Sequence, residues 1–64
     1  MSYAEFVKLV RDNFKKCGDY TDKETDDFLA KNEKMLREHY EGFTNDNIAG
    51  YSPIATASCL DMMF

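Results

Sequence analysis

Residues 52–64 read SPIATASCLDMMF, from Ser52 to Phe64, and the way this stretch packs decides what fold the chain can form. It holds one charged residue, Asp61, in a protein that is otherwise rich in Lys, Asp and Glu. Ser52 followed by Pro53 has the form of an N-cap and a first helical residue, where a missing N–H removes no hydrogen bond. A helix over about residues 53–62 is expected. On a helical wheel Ile54, Ala57, Leu60 and Phe64 point one way, while Ala55, Cys59, Met62 and Met63 point elsewhere. A helix that is apolar on every side is one contacted on more than one face.

The inward contact comes from what precedes it. Ser2-Tyr3-Ala4-Glu5 fits a capping box. Tyr3, Phe6, Val7, Val10, Phe14 and Cys17 then recur at helical spacing, with Leu9 at the edge of their arc, and Gly18 follows the cations Lys15 and Lys16. These residues predict a first helix over 3–17. Thr21-Asp22-Lys23-Glu24 is a second capping box, and Phe28, Leu29, Met35, Leu36, Tyr40 and Phe43 form an apolar stripe behind it. With Gly42 as a stop, the second helix is expected over 22–41. Opposite-charge pairs at Asp27–Lys31, Glu33–Arg37, Lys34–Glu38 and Arg37–Glu41 support its outer face. Two such helices joined by a short connection form an antiparallel hairpin. The apolar tail fills the groove between them, with Ile54, Leu60 and Met63 each contributing roughly 1.5–3 kcal/mol if buried. The expectation is a single all-α domain spanning 1–64, a small three-helix bundle.

Composition narrows the function. Sixty-four residues allow one domain of marginal stability. The net charge of −4 is the reverse of what a phosphate-backbone binder requires, and it disfavours an anionic membrane surface. No apolar run approaches the ~20 residues of a membrane span. Glu5, Lys8 and Arg11 interrupt the only region resembling a secretory leader. Two widely separated cysteines, Cys17 and Cys59, read as reduced thiols in a cytoplasmic protein, with a Cys17–Cys59 bridge as the alternative.

The charge is unevenly spread. Lys8, Arg11 and Lys15 lie on one face of the first helix, where they are solvated or meet an acidic surface. Asp19, Asp22, Glu24, Asp26 and Asp27 form an acidic cluster at the start of the second.

Few residues support chemistry. His39, the only histidine, and Asn32 fall on the inner arc of the second helix, where they are expected to border the tail and bond backbone. A Cys–His pair from His39 with Cys17 or Cys59 has no supporting signature. One His and two distant cysteines do not match zinc spacing, and the acidic run lacks the glycine of a calcium loop. No phosphate loop or dinucleotide fingerprint occurs. No cofactor or metal is expected.

The run from Thr44 to Ala57, TNDNIAGYSPIATA, is similar to the second and third helices of helix-turn-helix proteins, in which an Ile-Ala pair precedes a Ser-Pro that opens the recognition helix. That resemblance implies a DNA-reading helix beginning at Pro53. The segment before Ser52 is shorter than the family has. The helix after it carries no Lys, Arg, Gln or Asn, leaving Thr56 and Ser58 alone to contact a base or phosphate. Nucleic-acid binding is therefore not expected.

Two functions fit these features. One is a small non-enzymatic interaction module that pairs with a second copy or a larger protein through Ile54, Leu60, Met62, Met63 and Phe64. The other is an acidic inhibitor, of the kind found in phage and mobile elements, that uses residues 19–27 to occupy a nucleic-acid site on a host enzyme.

Overall fold

A computed structural model describes all 64 residues. Helix α1 spans Tyr3–Gly18, α2 Asp22–Lys31, α3 Glu33–Asp46 and α4 Pro53–Met63, with one 3₁₀ turn at Ala49–Tyr51. There is no strand, and the expected all-α bundle is what forms. Helix α1 starts where Ser2 caps it, accepting the Glu5 N–H at 3.2 Å. Only the Thr21/Glu24 pair at the start of α2 closes a complete capping box.

The expected second helix differs from the observed one. Its stripe runs on two helices, broken at Asn32. There the side chain donates Nδ2–H to the Phe28 carbonyl at 2.9 Å, and the backbone departs from helical geometry at φ −110, ψ 26. An asparagine that bonds the carbonyl four residues back offers the chain an alternative to the helical ladder. Helix α3 then continues five residues beyond its expected end, to Asp46.

The terminators differ too. Asp19 and Asn47, at φ 56 and 53, adopt the left-handed conformation that closes α1 and α3. Gly18 and Gly42 have no positive φ. They are needed for room: a Cβ on Gly18 would collide with the Tyr20 ring, and one on Gly42 with the Tyr51 ring.

The most extensive packing in the molecule is between α1 and α4. Lys15 and Arg11 of α1 meet Asp22 and Asp26 of α2, so α2 runs back along α1. Tyr20, just past the end of α1, donates its hydroxyl to Asp61 near the end of α4 at 2.5 Å, so α4 runs parallel to α1. This bond holds the Tyr20 phenol up to about 12, because Asp61 accepts its proton in a hydrogen bond.

The core is Phe6, Val10, Phe14, Leu29, Leu36, Ala57 and Leu60. Around it Phe14 stacks on Tyr20 and Phe28 at 4.5 and 5.6 Å between ring centres. Tyr3 and Phe6 meet Tyr40 edge-on. Every buried side-chain polar atom has a partner.

Candidate functional site: the outer face of α4

Helix α4 buries Pro53, Thr56, Ala57 and Leu60. This is the i, i+3, i+4, i+7 stripe of a helix with one face on the core. Leu60 is fully enclosed, so it holds the fold and is absent from the exposed surface on which the sequence placed it. Two residues expected to fill the groove do not. Ile54 is 66% exposed and Met63 55%. For Ile54 the reason is angular, since it lies about 100° from Pro53 around the axis, off the buried arc; Met63 lies near the direction of Thr56 but past Leu60, the last buried residue of the helix. Thr56 takes the inward position instead. Nothing in its residue type announced this, because its hydroxyl needs partners that only tertiary structure supplies.

Those partners are at the α3 boundary. The Thr56 hydroxyl lies 3.2 Å from the Tyr51 carbonyl, which it can donate to, and 2.9 Å from Nδ1 of His39. One hydroxyl proton serves one acceptor, so the arrangement in which His39 Nδ1–H donates to Thr56 satisfies all three groups. The His39 ring stacks on Tyr51 at 4.0 Å. His39 thus borders the tail as expected, through a side chain rather than backbone. A histidine beside a hydroxyl resembles a base beside a nucleophile, but Thr56 is completely buried and faces a carbonyl. No substrate atom reaches it. Its burial also removes one of the two residues available for base reading in the helix-turn-helix comparison.

Burial lowers the pKa of His39. The unfolded chain then takes up a proton first as the pH falls below ~6.5, so stability is full above that value and declines below it. A series of urea titrations between pH 8 and 5 is expected to show this decline, and His39→Gln is expected to flatten it.

The remaining large side chains of α4 face outward. Met62 is 87% exposed. Phe64 is 54% exposed, yet its ring contacts Phe14, Tyr20 and Phe28 at 5.9, 4.5 and 4.9 Å. It closes the end of the core and does not extend freely. Ser58 and Cys59 are also exposed. Ile54, Ser58 and Met62 form one row four residues apart, Cys59 lies further round the axis, and Met63 stands about 180° from Ile54. No residue of the row is charged, and Asp61, the one charged residue of the helix, borders it and accepts the Tyr20 hydroxyl.

Some of the charged groups pair with one another. Arg11 Nε donates to Asp26 at 2.8 Å and its terminal nitrogen to Asp22 at 3.3 Å. Lys15 also pairs with Asp22, and its hydrogen bond and charge hold the Asp22 carboxyl below its ordinary range. The basic face therefore meets the acidic cluster of its own chain. Of the other cluster members, Glu24 accepts the Thr21 N–H and Asp27 accepts from Lys23 at 2.6 Å. Asp19 closes α1. Lys8 is exposed. Among the expected pairs on the second helix, Glu33–Arg37 forms at 3.2 Å, and Arg37 also lies over the Tyr3 ring.

An open groove of about 360 Å³ between α1 and the α2–α3 pair is floored by Val7, Leu29 and Leu36 and edged by Arg11, Asp26 and Glu33. Both cysteines are free and exposed. No group of three or more His, Cys, Asp or Glu converges as metal ligands would, and no helix is long and apolar enough to cross a membrane. Comparison with protein-family models, with curated proteins and with solved structures finds no match to this chain.

Proposed function

We propose that the protein is a small non-enzymatic interaction module of the cytoplasm, which docks on protein through the outer face of α4, either on its own copy or on a larger partner. One observation carries this reading. The uncharged row of Ile54, Ser58 and Met62 stands in solvent on a helix whose opposite side already completes the core. Contiguous exposed apolar surface on a small folded protein marks a place of contact. Methionine suits such a surface, because its flexible, polarisable side chain adapts to what it meets.

The second reading, an acidic competitor for a nucleic-acid site, has less behind it. Asp22 and Asp26 already face Arg11, so binding a basic surface through them would exchange one set of ion pairs for another.

A photoreactive benzoyl-phenylalanine in place of Met62, in the full chain inside cells, tests the proposal. It is expected to give a protein adduct, whereas the same group in place of Lys34, on the exposed charged face of α3, is expected to give none. Adding Ile54→Asp should remove the adduct. Equal labelling from both positions, or no adduct from position 62, would overturn the proposal.

A further inference from the structure

We propose that the seam between α3 and α4 binds a soft monovalent metal ion, Cu(I), through Nε2 of His39, the thiolate of Cys59 and the thioethers of Met35 and Met63.

His39 is prepared as a ligand. Its Nδ1–H donates to Thr56, and the Thr56 hydroxyl donates onward to the Tyr51 carbonyl. This chain keeps the proton on Nδ1 and the lone pair on Nε2. A hydrogen bond on the far nitrogen is what orients the ring of a metal-binding histidine and fixes its tautomer. Stacking on Tyr51 at 4.0 Å holds the ring plane. Nε2 makes no hydrogen bond of its own, and no buried polar atom lacks a partner, so Nε2 is open to solvent.

The His39–Thr56 contact also sets which residues face each other across the seam. The two helices run antiparallel: Phe28, before the start of α3, meets Phe64, past the last residue of α4. Counted from the contact, Met35 lies ~6 Å back along α3, at a level between Cys59 at ~4.5 Å and Met63 at ~10.5 Å along α4. Around the axes Met35 is about 40° from His39, and Cys59 and Met63 are about 60° and 20° from Thr56. The four donors thus stand on the two facing stripes. Side chains lean toward the start of their own helix, so Met63 leans back toward Cys59 and His39 leans toward Met35. All four are accessible: Cys59 is a free, exposed thiol, Met63 is exposed, and Met35 and His39 are half-buried.

Donor chemistry chooses the ion. Thiolate and thioether sulfurs are soft and select Cu(I), and imidazole suits copper too. Zinc takes Cys, His or carboxylate ligands, and no third residue of those kinds joins His39 and Cys59. Binding releases the Cys59 proton to solvent, and the thiolate balances the charge of the ion.

Anaerobic titration of the full chain with Cu(I) against the chromophoric chelator bicinchoninate, with the thermal midpoint followed by circular dichroism, tests the site. One Cu(I) per chain is expected, with a raised midpoint on loading because the ion binds the folded state. Zn(II) should leave the midpoint unchanged. Cys17→Ser should bind as the parent does, and Cys59→Ser should lose the site. Met35→Leu and Met63→Leu should each weaken binding ~10-fold. Cys59 and Met63 are exposed, so the metal-free melts of their variants should match the parent. Ile54→Asp, on the outer row of α4, should leave Cu(I) affinity unchanged. No Cu(I) binding by the parent, or full binding by Cys59→Ser, would overturn the proposal. So would an affinity indifferent to both methionine changes, which would mean that a bare surface thiol captures the ion.

Discussion

Leu60→Asp is expected to abolish the fold. Leu60 is fully enclosed among the core residues. Aspartate there would lose the apolar contacts and bury a carboxylate with no partner, which it escapes only by unfolding or by taking up a proton. Even Leu60→Ala is expected to cost ~2–5 kcal/mol, against the ~3–5 kcal/mol that a core of this size supplies. Circular dichroism should show lost helicity for Leu60→Asp, and a much lower urea midpoint for Leu60→Ala. A cooperative melt of ordinary midpoint for Leu60→Asp would mean that α4 does not complete the core. The same change at Met62, two residues along, should leave the melt untouched. The contrast separates the two faces of one helix.

Phe14→Ala is the other large expectation. Phe14 is fully buried in α1, and its ring contacts Tyr20, Phe28 and Phe64. It joins the end of α1 to α2 and to the end of α4. Removing it should cost ~3–5 kcal/mol and leave most of the chain unfolded. Because Phe64 rests on this ring, a partial loss should show first as faster amide exchange at the end of α4. Midpoints within ~0.5 kcal/mol of the parent would mean that the aromatic cluster is a surface feature and not part of the core.

Much of the architecture was legible because helical periodicity and capping are local. The arc from Tyr3 to Phe14, the Thr21/Glu24 box and the Ser52-Pro53 start all follow from residues within a few positions of one another. The break at Asn32 was not legible. Asparagine at that place fits a continuous helix as well as a broken one, and the choice depends on whether its amide bonds the carbonyl four residues back. The glycines misled for a related reason. Gly18 and Gly42 look like helix stops by type, but they accommodate tyrosine rings, and which ring arrives is a matter of tertiary packing.

The sequence by itself determined that this chain is helical and that its tail is apolar on every side, because composition and spacing carry that information without reference to any neighbour. Tertiary structure alone decided which side is which. A helix apolar all round has no preferred face until α1 is placed against it. Its parallel packing then takes Leu60, Ala57 and Thr56 inward and leaves Ile54, Met62 and Met63 in solvent. The folding of α2 back on α1 brings Arg11 and Lys15 against Asp22 and Asp26, pairing two charged patches that looked separately available in the sequence, since opposite charges seven to fifteen residues apart on different helices find each other only once the hairpin has closed.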